Sequence, residues 1–164
     1  MIELRHFRLQ DLSSLVKHAD NPKVSRYLRE RFPSPFTEAD GKWWIEEGSR
    51  QPNSVHYAII HDGEFVGAMG ATFFYGERKH SAEVGYWLGE AFWGRGIVVA
   101  ALKLFIEELF AREGIVRLFA PVVGPNVASM RVLEKCGFVR EGVLRNGVML
   151  RGEVYDEHVF GLLK

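Results

Sequence analysis

Two glycines flank an arginine at the point where a predicted strand meets a long, largely apolar helix. Gly94 and Gly96 enclose Arg95, and no proline interrupts residues 97–112. The first turn of a helix carries backbone N–H groups without intrahelical partners, and the helix dipole adds partial positive charge there. Glycine lets the backbone approach an anion closely and adopt a positive φ. This arrangement favours the binding of a phosphate group, and Arg95 adds a positive charge to it.

The spacing of these glycines excludes two common phosphate motifs. Val99 stands where GxGxxG would require its third glycine, and GxxxxGK[ST] is absent from the chain. Neither a dinucleotide-binding fold nor a P-loop is therefore indicated. From the residues alone two interpretations stay open, a site for another phosphate-bearing ligand and a turn with a purely structural role.

The elements that must position this loop alternate between strands and helices. Alternating hydrophobicity predicts a strand over residues 80–88, with Glu83, Gly85 and Trp87 on one face. The elements predicted after the loop are a helix over residues 95–112, a strand over 116–123, a helix over 126–136 and two closing strands joined by an Asn146-Gly147 turn. This order, following antiparallel hairpins, predicts a mixed sheet with helices on both faces.

The first half of the chain supplies an outer strand, short helices and a hairpin. A strand is predicted over residues 2–7 and a helix after it that stops at Asn21-Pro22, and Thr37 is the predicted N-cap of another helix. Asp62-Gly63 predicts the turn of a hairpin, in which Gly67 and Gly70 are expected to mark a bulge.

Composition bounds the class of protein. With 164 residues, 47% hydrophobic and 26% charged, the chain is predicted to fold as one domain over residues 1–164. Equal numbers of acidic and basic residues argue against long-range capture of nucleic acid or an anionic membrane. The single Cys136 and an N-terminus without a signal-peptide pattern predict a soluble, cytoplasmic protein. The histidines show no metal-ligand spacing, so no metal is predicted.

Three blocks of sequence, read together, point to a known family. They are EVGYWLGEAFWGRGIV over residues 83–98, NVASMRVLEKCGF over 126–138 and YDEHVFGLL over 155–163. In these blocks, and over nearly its whole length, the chain resembles the GCN5-related N-acetyltransferase (GNAT) family, within it the RimJ/RimL-like branch that acetylates ribosomal-protein N-termini. The resemblance implies an α/β (α+β) fold with a twisted mixed sheet of about seven strands and helices on both faces. Its two central parallel strands, here the one ending near Leu88 and the one over residues 117–122, would splay into a V that holds acetyl-coenzyme A.

The same resemblance assigns residues to the coenzyme. The family's pyrophosphate loop, [Q/R]-x-x-G-x-[G/A], corresponds to Trp93, Gly94, Arg95, Gly96, Ile97 and Val98. Trp93 departs from the polar first residue and Val98 from the small last one, but binding by backbone N–H groups does not depend on those side chains. Asn126 would touch the coenzyme arm and cap its helix, and a strand N–H near Trp87 or Leu88 would meet the thioester carbonyl.

Catalytic roles implied by the resemblance fall on two residues. Glu83 is the implied general base, commonly acting through water, and a structural carboxylate is the alternative. Many relatives carry a tyrosine seven residues after the asparagine as the acid for the thiolate, but Leu133 stands at that position. Ser129 is the residue that the resemblance implies in place of this tyrosine, and it is also assigned to the coenzyme site. The alternative is that Ser129 is a serine on the helix surface whose hydroxyl only forms a local hydrogen bond.

The predicted function is direct acetyl transfer from acetyl-CoA to a primary amine, in particular a protein N-terminal α-amine. The alternatives are a small-molecule N-acetyltransferase acting on a polyamine, amino acid or aminoglycoside, and a non-catalytic acyl-CoA-binding regulator. Tyr155 and Asp156 are expected either to bound the acceptor pocket or to serve sheet packing. The basic residues Lys23, Arg26, Arg29 and Arg31 are expected to form either a solvated face or a basic rim that selects an acidic acceptor or touches a ligand phosphate. A homodimer is compatible with this interpretation.

Overall fold

A seven-stranded sheet forms the frame of the protein, which a computed structural model describes over residues 1–164. The strands are β1 (Ile2–Arg5), β2 (Ser54–His61), β3 (Glu64–Phe73), β4 (Ser81–Leu88), β5 (Arg117–Val123), β6 (Val139–Leu150) and β7 (Glu153–Leu163). Their order across the sheet is β1-β2-β3-β4-β5-β7-β6. Only β4 and β5 run parallel, and every other neighbouring pair is antiparallel. The predicted mixed sheet is confirmed.

Five α-helices connect the strands. They are α1 (Leu12–Ala19), α2 (Pro22–Ser25), α3 (Glu38–Glu46), α4 (Ile97–Ala111) and α5 (Val127–Lys135). Thr37 caps α3 as predicted, because its Oγ1 accepts the Asp40 N–H while the Asp40 carboxylate accepts the Thr37 N–H. Asn126 likewise caps α5, where its Oδ1 accepts the Ser129 N–H at 3.4 Å. Both cap predictions are confirmed.

Different helices bury the two faces of the sheet. On one face Phe105 of α4 is fully buried in a core that includes Leu118 of β5. On the other face Leu15 of α1 and Ile45 of α3 pack in a smaller core with Phe65 of β3. Each helix turns an apolar stripe inward and leaves its polar side to solvent, so the predicted helices on both faces are confirmed.

The two central strands separate soon after they meet. Residues Ser81 to Glu83 of β4 lie opposite Arg117 to Phe119 of β5, and the ladder stops there. Both strands continue, to Leu88 and Val123, while their outer edges stay paired with β3 and β7. The inner edges therefore diverge into the V-shaped opening that the family resemblance implied.

The closing hairpin departs from the prediction. The predicted turn at Asn146-Gly147 is wrong, because β6 runs through both residues and the chain reverses at Arg151 and Gly152, with φ of 49° and 82°. At Asn146, whose φ is 50°, the ladder between β6 and β7 shifts register. Asparagine tolerates a positive φ in a bulge as well as in a turn, so the dipeptide alone does not distinguish the two.

The first hairpin follows the prediction more closely. It reverses at Asp62 and Gly63, and the bulge lies at Val66, beside Gly67. Gly70 is not part of a bulge, since it stays in register opposite His56. The ring of His56 occupies the space that a Cβ at position 70 would need, so a close side-chain approach requires this glycine.

Candidate functional site

A cavity of about 680 Å³ opens where β4 and β5 separate. Side chains of both strands line it, and so do Asn126 and Ser129 at the start of α5. The segment between α2 and α3 and two tryptophans of α3, Trp43 and Trp44, close it from the other side. Because Trp43 remains 53% exposed, this indole lies at the mouth of the cavity and is not a core residue. The cavity thus joins the V between the strands to a side that is open to solvent.

The glycine loop presents unpaired amide groups at the end of β4. Gly94 and Gly96 adopt left-handed conformations with φ of 74° and 73°, a region that glycine occupies without strain. The N–H groups of residues 94–99 donate to no backbone carbonyl, and the first helical bond runs from Ala100 N–H to the Gly96 carbonyl. These amides lie at the N-terminus of a fifteen-residue helix, where partial positive charge accumulates. The loop has the properties of an anion site.

Trp93 ties this loop to the strand. Its indole Nε1 donates to the Leu88 carbonyl at 2.8 Å, which anchors the loop against the end of β4. Trp87 and Leu88 themselves lie on the part of β4 that has no β5 partner. The Trp87 ring packs in the second core against Phe32, and the residue also lines the cavity. The guanidinium of Arg95 stacks over Phe92 at 5.5 Å.

A pair of hydroxyl groups meets at the inner end of the V. The Tyr86 hydroxyl lies 2.8 Å from Ser129 Oγ and 3.1 Å from the Ser129 carbonyl. Burial raises the pKa of Tyr86, so the phenol stays protonated at neutral pH. Tyr86 was not among the residues singled out from the sequence, although it belongs to the strand predicted over residues 80–88. Leu133, at the position of the family's tyrosine, is fully buried and contributes no acid.

Two carboxylates, those of Glu83 and Glu157, line the cavity. Glu83 forms an ion pair with Arg29, one of the four residues of the predicted basic rim. Glu157 of β7 also lines the cavity, and sequence reasoning missed it. Burial raises the pKa of Glu157, the charge of Glu83 adds to that effect, and the charge of Arg29 opposes it. The signal that pointed to Glu157 was its position directly after Tyr155 and Asp156, which the family resemblance had already drawn attention to.

The neighbours of Glu157 have other contacts. Tyr155 packs edge to face against Tyr27, with ring centroids 6.3 Å apart. Asp156 accepts the N–H of Asn146 across the hairpin. Neither side chain lines the cavity, which agrees with the sheet-packing alternative for both. Lys23 of the basic rim pairs with Glu90 on the surface.

Other candidate chemistry is limited. Burial raises the pKa of the Cys136 thiol, whose Sγ lies 3.7 Å from the Val99 carbonyl, as expected of a small buried side chain. No three histidine, cysteine or acidic side chains are grouped in a way that could hold a metal ion. None of the helices combines the length and apolar character needed to cross a membrane.

Comparison with known proteins places this geometry in a family. The model of the acetyltransferase (GNAT) domain matches residues 2–139. An uncharacterized N-acetyltransferase, p20 of Bacillus licheniformis, is 29% identical over 169 residues, which cover 99% of this chain and 93% of that protein.

Solved structures show the same fold. RimL, a ribosomal L7/L12 α-N-protein acetyltransferase in complex with coenzyme A, superposes with a TM-score of 0.87 at 20% identity over 99% of this chain and 93% of that one. The spermidine N-acetyltransferase of Vibrio cholerae, in complex with CoA and spermine, superposes with a TM-score of 0.81 at 17% identity over 99% of this chain and 95% of that one. The family match, the splayed sheet and the glycine loop agree, and the chain belongs to the GNAT family of acetyltransferases, as an N-acetyltransferase of that type.

Proposed function

We propose that this protein binds acetyl-CoA in the V between β4 and β5 and transfers its acetyl group directly to a primary amine. In this proposal the pyrophosphate lies on the amides of the loop formed by Trp93, Gly94, Arg95, Gly96, Ile97 and Val98. Asn126 and the free edge of β4 at Trp87 and Leu88 contact the pantetheine arm and the thioester. The proposed location is the reducing cytoplasm, because the single Cys136 is unable to form a disulfide within the chain.

One observation carries the proposal: the unpaired amides of residues 94–99 lie where the splayed β4 ends. Buried or half-buried N–H groups normally find a partner, and a helix N-terminus with a glycine turn is suited to a diphosphate. Beside this loop, the diverging edges of β4 and β5 carry further backbone N–H and C=O groups, with which the amides of the pantetheine arm are able to form hydrogen bonds. Both features fit the same elongated ligand.

The reaction needs a proton acceptor for the amine and a proton donor for the departing thiolate. Glu83, and with it Glu157, supplies carboxylates on the acceptor side of the cavity. Ser129 supplies the hydroxyl on the coenzyme side, and the Tyr86 phenol holds it in place. Acid and base groups therefore lie on the two sides of the position proposed for the thioester.

A protein N-terminal α-amine is the proposed acceptor. The RimL neighbour acts on such an amine, and the cavity here opens to solvent past Trp43, which leaves room for a peptide chain to extend outward. A polyamine is the second candidate, because two carboxylates at the acceptor side suit a cationic amine and because a spermidine acetyltransferase shares the fold.

A thiol-release assay with acetyl-CoA tests the proposal. The panel contains short peptides with free N-termini, the same peptides N-acetylated, polyamines, amino acids and aminoglycosides. Release that depends on a free peptide N-terminus supports the first acceptor class, and release with polyamines alone supports the second. Tight acetyl-CoA binding by calorimetry without thiol release for any amine would indicate the regulator and overturn the enzymatic proposal.

A further inference from the structure

We propose that Glu157 accepts the proton from the acceptor amine, and that the Arg29–Glu83 ion pair beside it is a positioning element. This inference rests on the proposed function and specifies which of the two carboxylates carries out the proton transfer. It assigns a role to a β7 side chain that has no counterpart among the residues predicted from the sequence.

Strand register places the two carboxylates on one face of the sheet. Glu83 lies opposite Phe119 of β5, and Glu157 lies opposite Val123 of the same strand. Directly paired residues share a face, and so do residues separated by an even number of positions along a strand. Phe119 and Val123 are four positions apart, so Glu83 and Glu157 project to the same side, and both line the cavity.

The two carboxylates differ in their partners. An Oε2 atom of Glu83 accepts a hydrogen bond from the Arg29 guanidinium, which occupies part of its acceptor capacity and fixes its orientation. Glu157 is partly buried and forms no ion pair or side-chain hydrogen bond within the protein. Its lone pairs are therefore available to an incoming ammonium or amine N–H.

The surroundings also tune the proton affinity of Glu157. Burial raises its pKa, the neighbouring Glu83 charge raises it further, and the Arg29 guanidinium from the segment after α2 lowers it. A general base works best when its pKa lies near the operating pH, and an upward shift moves a carboxyl group toward that condition. Because Arg29 already donates to Glu83, the Glu83 carboxylate has fewer free lone pairs with which to compete for the amine.

Acetyl transfer requires only the amine, acetyl-CoA, Glu157, Ser129 and solvent. A bond forms between the amine nitrogen and the acetyl carbon, and the bond from that carbon to sulfur breaks with its electron pair leaving on sulfur. Glu157 takes the proton that nitrogen loses and passes it to solvent. The sulfur anion takes a proton either directly from solvent or from Ser129, and in the second case solvent returns a proton to the Ser129 oxygen, so no other reactant is needed.

The test compares Glu157→Gln and Glu157→Asp with wild type, using the best amine from the acceptor panel and saturating acetyl-CoA. Glu157→Gln is expected to lower kcat by about 10²-fold or more. The KM for acetyl-CoA should remain within about twofold of wild type, and the acid limb of the pH–rate profile should disappear. Glu157→Asp, which keeps the carboxylate, should restore part of the rate and the acid limb. The matched control is Glu153→Gln, an exposed glutamate on the same strand outside the cavity, which should behave as wild type.

Glu83→Gln separates the two carboxylates. If Glu157 is the base, Glu83→Gln lowers kcat while the acid limb persists at a lower pH, because removal of the adjacent negative charge lowers the proton affinity of Glu157. An acid limb lost in Glu83→Gln and retained in Glu157→Gln would overturn the inference and assign the base to Glu83. Wild-type kcat in Glu157→Gln would overturn it too, while acetylation by the wild type keeps the proposed function. A wild type that acetylates no amine would reject both.

Discussion

Ser129 and Tyr86 illustrate how one site residue depends on another. The serine is placed at the start of α5 by the Asn126 cap, and the phenol reaches it from the middle of β4. The Tyr86 hydroxyl donates to the Ser129 carbonyl at 3.1 Å, and its oxygen lies 2.8 Å from Ser129 Oγ, so the phenol fixes the position of the serine hydroxyl. In the proposed mechanism this pair places a hydroxyl group near the thioester, where Leu133 replaces the family's tyrosine.

Ser129→Ala is expected to lower kcat by less than about 10²-fold, because a coenzyme A thiolate leaves readily near neutral pH. Tyr86→Phe should cause a similar or smaller loss, and the double variant should be no slower than the slower single variant, since the two hydroxyls act as a unit. Steady-state kinetics of all three variants completes the cycle. Tyr57→Phe, which removes a phenol bonded to Glu108 outside the cavity, is the control. Fully additive losses would show that the hydroxyls act independently.

At the scale of elements, the loop between β4 and α4 makes a prediction about binding. Gly96→Pro should abolish acetyl-CoA binding, because proline removes one amide N–H and cannot adopt the φ of 73° found there. Calorimetry measures the affinity, and circular dichroism checks the fold. Gly63→Pro, at a φ of 83° in the distant β2–β3 turn, imposes a comparable backbone penalty and should leave the affinity unchanged. Wild-type affinity in Gly96→Pro would place the diphosphate elsewhere.

The tip of the closing hairpin holds the segment that carries Arg29. The Arg151 N–H donates to the Glu30 carboxylate at 2.7 Å, and its guanidinium donates to the Leu28 carbonyl at 3.0 Å. A shortened side chain leaves that carbonyl unpaired and loosens the segment around the acceptor side of the cavity. The β6–β7 turn therefore supports the Arg29–Glu83 ion pair from a distance.

Arg151→Ala is expected to raise the KM for the amine several-fold while the affinity for acetyl-CoA stays unchanged. The physical reason is that the variant disorders one wall of the acceptor side and leaves the glycine loop intact. Kinetics with varied amine, together with calorimetry for the coenzyme, measures both quantities. Arg145→Ala removes an exposed arginine from the same hairpin and serves as the control. Equal KM values in the two variants would contradict a role for this contact.

In the molecule as a whole, the buried His18 and the partly buried His56 make stability depend on pH. Burial lowers the pKa of His56 to about 4 and also lowers that of His18, with Arg31 and Lys17 adding to the respective shifts. Below about pH 6.5 these histidines take up protons in the unfolded chain, whereas in the folded state both rings remain neutral to lower pH. Stability is therefore complete above about pH 6.5 and declines as the pH falls toward about 4.

The free energy of unfolding, measured with urea across that range, should fall with decreasing pH. His56 accounts for about 2 kcal/mol of this loss after allowance for its partly exposed ring. His56→Gln removes the titrating group, so its stability should depend less steeply on pH than that of the wild type. The Gln variant of the exposed His80 is the control. Parallel curves for wild type and His56→Gln would show that this ring does not couple folding to protons.

The sequence alone was sufficient for the fold class, the two caps and the position of the glycine loop. These features depend on local chemistry: hydrophobic periodicity, the need of a helix N-terminus for a capping oxygen, and the freedom of glycine at positive φ. The wrong prediction of a turn at Asn146-Gly147 shows the limit of such local signals. A bulge within a long strand requires a positive φ just as a tight turn does, so the same residues suit both.

Tertiary structure decided which side chains meet. Tyr86 of β4 contacts Ser129 of α5, and Arg29 forms a hydrogen bond with Glu83, which lies 54 positions later in the chain. Glu157 lines the cavity because β7 pairs with β5 in the register that places Glu157 opposite Val123. A shift of one residue in that register would turn Glu157 to the opposite face, and periodicity within one strand carries no information about its partner's register. Local signals in the sequence were therefore enough to predict the glycine loop, whereas strand pairing fixed which side chains line the cavity.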